Sequence, residues 1–256
     1  MITTKSYAYG DWIKGEGAGR QVAHAVTGEV VATVDSTGLD FPRMLDYARD
    51  KGGDALRQMT IHERANALKE LGKYLSVKKA GFYAISAATG ATKNDSAVDI
   101  DGGIATLFSL SGIARREFSN EKFIVEGDVE TLSKGKTFVA RHILVSKRGV
   151  SVHINAFNFP CWGMLEKIAP SLIAGVPVVV KPATDSAYVT EAMVREIVAS
   201  GILPEGSIQL ICGSTGDLLD HLNEQDSITF TGSSSTGQML RAHPNVIAKS
   251  IPFNME

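Results

Sequence analysis

Along the first half of the chain, apolar residues recur every three or four positions. Along the second half they gather into short, nearly unbroken valine and isoleucine runs. The first pattern is that of helices with one buried stripe, the second that of strands covered on both faces. Three helices are expected in the first half. One covers 41–58. The next opens at Thr60-Ile61-His62-Glu63, a capping box in which the threonine hydroxyl accepts from the N3 amide and the carboxylate returns to the N-cap amide. Ile61, Ala65, Leu68, Leu71 and Leu75 fall on one face, and a continuation with Phe82 and Ile85 ends at Gly90. The third covers 95–117 and is expected to turn Val98, Ile104, Leu107 and Ile113 inward.

From 121 to 155 the chain is rich in Thr, Val, Ile and Phe with turn residues between, which reads as strands. "TFVARHILVSKRGVSVHI" suggests two of them, joined at Lys147-Arg148-Gly149. Strand and helix then alternate. The strands are "GVSVHIN", "VPVVVK", "SIQLIC", "SITF" and "VIAKSIPF"; the helices between them cover 162–174, 185–200, 217–223 and 234–243. Alternation of this kind builds right-handed crossovers and a doubly wound parallel sheet. The fold class is therefore α/β: a Rossmann-like sheet with helices on both faces over 151–256. An α-helical region over 1–120 and an antiparallel strand segment over 121–150 precede it.

Ligands of open α/β sheets sit beyond the C-terminal ends of the strands. Those ends read Ala156-Phe157-Asn158, Lys181-Pro182-Ala183-Thr184, Cys212-Gly213-Ser214-Thr215-Gly216 and Phe230-Thr231-Gly232-Ser233. An amide, an ammonium, two glycine turns and several hydroxyls suit an anionic, sugar-bearing ligand held at helix N-termini. Neither G-x-G-x-x-G nor a P-loop is present. Each glycine turn alone reads as a plain strand-to-helix connection, and Lys181 alone as a solvated strand-end lysine; their recurrence at consecutive strand ends favours a binding role. Asn158 has two readings, a turn or N-cap residue and an oxyanion donor.

Composition narrows the classes. With 44 % hydrophobic and 21 % charged residues and a net charge of −2, the chain has an ordinary globular balance. It has no basic footprint for nucleic acid or an anionic membrane. No uninterrupted apolar run approaches the ~20 residues of a membrane span, and no export signal is visible at the N-terminus. Two cysteines, Cys161 and Cys212, form neither a disulfide framework nor a metal pattern, so a cytoplasmic protein is expected. The six histidines include no H-x-x-x-H pair, and no metal is expected. His153, inside an apolar strand, reads as a satisfied core histidine.

The run "INAFNFP", then "EKIAPSLIAGVPVVVKPA", "LPEG", "FTGS" and a glutamate about two dozen residues later resembles the aldehyde dehydrogenase superfamily over essentially the whole chain. "HINAFNFPCWGMLEK" and "ATGATKNDSAVDIDGGIATLF" are similar to the semialdehyde dehydrogenase half of bifunctional phenylacetate-degradation proteins, which carry a ring-opening enoyl-CoA hydratase as well. They are also similar to the CoA-semialdehyde dehydrogenases of aerobic benzoate degradation. The resemblance implies oxidation of a CoA-linked semialdehyde in aromatic catabolism, by a cytoplasmic homo-oligomer whose 121–150 strands mediate assembly. Asn158 matches the oxyanion donor, Glu256 the general base and Lys167 a proton-relay lysine. The matching cofactor set is Ala156, Phe157, Lys181, Ala183, Thr184, Gly213, Gly216, Phe230, Gly232, Ser233 and Thr236. Within it, Lys181 matches the lysine at the adenosine ribose, Gly216 a glycine under the adenine, and Phe230, Gly232 and Ser233 the pyrophosphate segment.

The family often has a glutamate where Thr184 stands. A carboxylate there would repel a 2′-phosphate and a threonine can bond it, so NADP is expected over NAD. The family's nucleophile is a cysteine some tens of residues after the general base. The expectation is therefore an N-terminal fragment, inactive by itself, with Cys161 and Cys212 in structural roles. Two alternatives stand beside it: an acylating member, against which Glu256 argues, and a non-catalytic nucleotide-binding subunit.

Overall fold

A computed structural model describes residues 1–256. Five short strands open the chain: β1 (Ile2–Thr3), β2 (Ser6–Ala8), β3 (Asp11–Ile13), β4 (Arg20–Ala23) and β5 (Val30–Val34). Helices α1 (Phe41–Tyr47), α2 (Asp54–Gln58), α3 (Ile61–Ser86) and α4 (Lys93–Glu117) follow. Next come β6 (Ile124–Thr131), β7 (Val139–Leu144), β8 (Ser151–Ile154), α5 (Trp162–Ile173), β9 (Val178–Lys181), α6 (Ala187–Ala199) and β10 (Ile208–Leu210). The chain closes with β11 (Ser227–Phe230), α7 (Ser234–Arg241), α8 (Pro244–Ala248) and β12 (Phe253–Met255).

The central sheet has seven strands in the order β12-β11-β8-β9-β10-β2-β3. The first five are parallel; β2 joins β10, and β3 joins β2, in antiparallel fashion. The chain builds outward from β8 in both directions, which puts the topological switch point between β8 and β11. Alternation along β9 shows why its run is all apolar. Val178 and Val180 lie in a core with α3, α4, α5 and α6, while Val179 faces the opposite core with Phe41, Met44, Leu45 and Ile228.

Helix α3 carries both capping-box hydrogen bonds, Glu63 N to Thr60 Oγ1 at 3.2 Å and Thr60 N to Glu63 Oε2 at 2.7 Å, and buries the expected stripe. The other two helical expectations need correction. The 41–58 segment is α1 and α2 joined by a π-helical turn over 48–53. That turn carries a close approach that requires glycine: a Cβ on Gly52 would lie 2.1 Å from the carbonyl oxygen of Gly206. Helix α4 begins earlier, at a second capping box between Thr92 and Asp95. It turns Asp99, Ile100, Gly103, Ile104 and Leu107 inward and leaves Val98 and Ile113 exposed. Gly103 sets that phase, because its Cβ would stand 2.9 Å from Trp162 Cα, so only glycine lets α4 approach α5 so closely. By length and composition α4 could cross a membrane; here it packs between α3 and α5.

The expectation of a final strand over 246–253 is also corrected. Pro244 opens helix α8, Ser250 takes a left-handed φ of 50°, and the strand starts only at Phe253. Strands β7 and β8, expected as joined neighbours, belong to different sheets: β7 pairs with β6 in a separate two-stranded arm. The first 34 residues, for which no strands were expected, supply β2 and β3 to the central sheet and a small sheet in the order β1-β5-β4.

Candidate active site and nucleotide cavity

The C-terminal ends of the parallel strands surround a polar cavity of about 530 Å³, lined by Lys181 and Thr184 after β9, Gly213, Ser214 and Thr215 after β10, and Thr236 on α7. The N-terminal strands supply its other wall, including Arg20, Asp35 and Thr37. Lys181 is half-buried, and its ammonium engages no carboxylate or hydrogen-bond acceptor. Burial pushes its pKa below the ordinary lysine value, with Cys212 and Asp185 opposing that shift and Arg20 adding to it. A half-buried, unpaired cation at the mouth of a hydroxyl-lined cavity fits a nucleotide's ribose and phosphates.

The other residues expected to contact cofactor are less uniform. Ala156, Phe157, Ala183, Gly216, Phe230, Gly232 and Ser233 do not line this cavity. Gly216 has a structural reason to be glycine: φ is 46°, and a Cβ would meet the Phe41 ring at 2.7 Å. Phe230 buries its ring in the core, leaving only backbone to offer. Ser233 is the N-cap of α7, its Oγ accepting from Thr236 N at 3.3 Å.

The residues expected to be catalytic lie in two places: Asn158 follows β8, and Lys167 and Glu256 line a cavity that Asn158 does not line. Asn158 is exposed, makes no hydrogen bond, and is not the N-cap of α5, so the capping reading does not account for it. That helix is capped from outside its own segment. Buried Asp99 of α4 accepts from Cys161 N at 3.0 Å and Trp162 N at 2.7 Å, which pins the turn carrying Asn158. Burial raises the Asp99 pKa, and these two N–H groups oppose the shift.

Lys167 and Glu256, 89 positions apart in sequence, come together around a polar cavity of about 290 Å³. Lys167 Nζ is 2.9 Å from Glu166 Oε1 and 3.8 Å from Glu256 Oε2. Glu256 Oε2 also accepts from Thr231 Oγ1 at 3.2 Å, and its backbone N–H donates to Phe230 O at 3.0 Å. Behind the lysine, Ser171 Oγ donates to Lys167 O at 3.0 Å and lies 3.2 Å from His153 Nε2. His153 is only half-satisfied: Nε2 also lies 2.9 Å from Ser151 Oγ, while Nδ1 has no partner. Burial, with the Lys167 charge, pushes its pKa down to about 3, so it stays neutral.

Neither cysteine resembles a nucleophile. Both are buried. Burial drives the Cys161 thiol pKa well up, helped by Asp99, and does the same for Cys212, helped by Glu191.

Residues 12–255 match the family model of the aldehyde dehydrogenase family. The chain belongs to that family. It is 44 % identical over 252 residues to a 3,4-dehydroadipyl-CoA semialdehyde dehydrogenase of Aromatoleum evansii, covering 98 % of this chain and 49 % of that protein. It is 28 % identical to a D-glyceraldehyde dehydrogenase (NADP(+)) of Picrophilus torridus, covering 92 % of this chain and 47 % of that one. The chain thus spans about half the length of the curated relatives it matches. Among solved structures, an NADP-dependent glyceraldehyde-3-phosphate dehydrogenase of Bacillus halodurans, complexed with NADP, superposes with a TM-score of 0.83 at 23 % identity, covering 100 % of this chain and 53 % of that one. A betaine aldehyde dehydrogenase of Staphylococcus aureus, in complex with NAD+, gives 0.82 at 20 %, covering 100 % and 50 %. At such identities these neighbours establish the fold: the mixed α/β layer architecture and the Rossmann-like sheet are the family's.

Sequence reasoning missed Arg20, Asp99 and the N-terminal wall of the nucleotide cavity. Asp99 carried no signal, because its partners lie 62 and 63 positions away. Arg20 sits on a four-residue strand in a region where no strand was expected.

Proposed function

We propose that this chain is the nucleotide-binding part of an NADP-dependent dehydrogenase that oxidises a CoA-linked semialdehyde to the acid, in the cytoplasm. The observation that carries the reading is the half-buried, unpaired Lys181 beside Thr184 on the wall of a hydroxyl-lined cavity at the strand ends, with exposed Asn158 after β8 and Glu256 after β12 on the same sheet. The 44 % relative, named for a CoA-linked semialdehyde, supports the substrate class and weighs toward a benzoate-type over a phenylacetate-type intermediate. Thr184 beside Lys181 supports NADP, since a hydroxyl accepts and donates where a carboxylate would repel a 2′-phosphate. The bound dinucleotide would supply the hydride acceptor.

The chain's own residues supply the rest. The Asn158 amide N–H donates to the oxygen that becomes negative when the aldehyde carbon turns tetrahedral. Glu256 takes the proton of the water that releases the acid, with the Lys167 ammonium 3.8 Å from its carboxylate. Lys181 holds the ribose end. Neither Cys161 nor Cys212 is suited to act as the family's nucleophile, so these 256 residues by themselves should bind nucleotide without oxidising aldehyde. The apolar β6–β7 arm, with Val129, Phe138 and Ile143 exposed, is the surface on which a homo-oligomer would assemble.

The test is aldehyde-dependent NADPH formation by the full-length gene product with a CoA-linked semialdehyde. Turnover should fall by a factor on the order of 10²–10³ in Asn158→Ala, the cost of one oxyanion donor. Unchanged turnover in that variant would remove the reading.

A further inference from the structure

Three charges stand at this cavity, Lys181 and Arg20 on its wall and Asp185 behind Arg20, and of these only Lys181 matches a family position. The other two are Arg20 and Asp185, joined by Arg20 Nη2 and Asp185 Oδ1 at 2.6 Å. Gly19, at a φ of 71°, turns the chain into β4 so that Arg20 is its first residue, and β4 packs beside the turn at 184–186. That contact sets Arg20 next to Thr184 and Lys181 on the cavity wall.

Arg20 pairs with Asp185, and Lys181 stands beside that pair without engaging it. Arg20 opposes the Lys181 charge and Asp185 supports it, so the three groups sense one another. Only Nη2 of the Arg20 guanidinium is engaged; its other donors make no hydrogen bond. The Lys181 ammonium is unpaired. With Asp35 also on the wall the charges balance, and what the cavity offers a ligand is the free donors of the guanidinium and the ammonium. The carboxylate on the cavity wall is Asp35, which keeps its charge while accepting from Thr37 N at 3.1 Å, Thr37 Oγ1 at 2.7 Å and Gly17 N at 2.6 Å.

We propose that Arg20 selects NADP by pairing with the ribose 2′-phosphate, and that Asp185 holds the guanidinium in place and competes with that phosphate for it. The proposal rests on the NADP reading above and adds a determinant from a part of the chain outside the Rossmann-like strands. A guanidinium suits the task because it meets two phosphate oxygens with parallel N–H groups, while a ribose hydroxyl offers it no charge. Arg20 and Asp185 are 64 % and 60 % exposed, so removing either should leave the fold intact.

The experiment is calorimetric titration of the 256-residue chain with 2′,5′-ADP and with 5′-AMP, which differ only in the 2′-phosphate. The native chain should bind 2′,5′-ADP more tightly. Arg20→Ala should weaken 2′,5′-ADP about tenfold and leave 5′-AMP within about twofold, the loss of one charge-assisted contact. Arg20→Lys should recover part of the preference, and Asp185→Asn should strengthen 2′,5′-ADP binding by freeing the guanidinium. If the native chain prefers 2′,5′-ADP and Arg20→Ala keeps that preference, Arg20 is not the selector and the NADP reading stands. Equal binding of the two ligands by the native chain, or binding of neither, overturns the NADP reading and the Arg20 assignment together.

Discussion

Two clusters share the C-terminal edge of one sheet, and they differ in where their order comes from. Around Lys181 and Thr184 the chain encloses a cavity on both sides, with β9 and β10 ends forming one wall and the N-terminal strands the other. Around Asn158 it presents an open face. The amide has no partner, and Phe157 and Phe159 beside it are 65 % and 39 % exposed. The turn carrying Asn158 is held from beneath by Asp99, and Lys167 by the Ser171–His153 layer. A binding site can thus be walled by strand ends and loops of one layer, whereas reactive groups at an edge depend on buried polar residues that never touch a ligand.

Breaking the support under the open face should have the largest effect. Asp99→Ala strands two buried N–H groups at the start of α5, a loss of about 3 kcal/mol in unfolding free energy. Urea titration measures it, and a loss below about 1 kcal/mol would mean water or relaxation replaces the carboxylate.

The nucleotide side should respond next. Lys181→Ala should weaken NADP binding by about 10- to 100-fold, the range for a hydrogen bond to a charged group. Because burial holds the Lys181 pKa low, its ammonium deprotonates at a lower pH than a solvated lysine. NADP affinity should decline as pH rises through that lowered value, and Lys181→Arg should flatten the decline. A pH-independent affinity in the native chain would contradict the assignment.

His153 gives a smaller and oppositely placed dependence. Its folded pKa of about 3 lies below the ordinary value of 6.5. Between the two, the unfolded chain binds a proton that the folded chain refuses, so stability falls as pH drops through that window. From about pH 7 to about pH 5 the loss from this residue is about 2 kcal/mol, and His153→Gln should remove that share. An unaltered pH slope in the variant would show that His153 takes up its proton in the folded state.

The smallest change belongs to the arm: Val129→Thr, at an exposed position, should alter unfolding free energy of the monomer by less than about 0.5 kcal/mol.

Much of this was legible in sequence because it was local. The Thr60 capping box, the Leu68–Leu71–Leu75 stripe and the "SITF" strand each declare themselves within a few residues. The separate roles of Lys167 and Glu256 followed only from the family motif, and no spacing rule anticipates the 3.8 Å between them. The phase of α4 was misread because its inward face is carried by Gly103 and Asp99, which hydrophobic periodicity counts as outward. The last strand was misplaced because apolar residues of α8 and β12 read as one run, although Pro244 marked the helix start. The N-terminal wall, with Arg20, was invisible because strands of two to five residues leave no period to detect.

The account's central claim is that the cavity at Lys181 and Thr184 is an NADP site. Titration of NADP and NAD into the native chain and into Thr184→Glu tests it most directly. The account predicts that the native chain binds NADP at least about tenfold more tightly than NAD, a single charge-assisted contact's worth, and that the glutamate variant reverses or erases the difference. Equal affinities in the native chain, or a preference that survives Thr184→Glu unchanged, would contradict it.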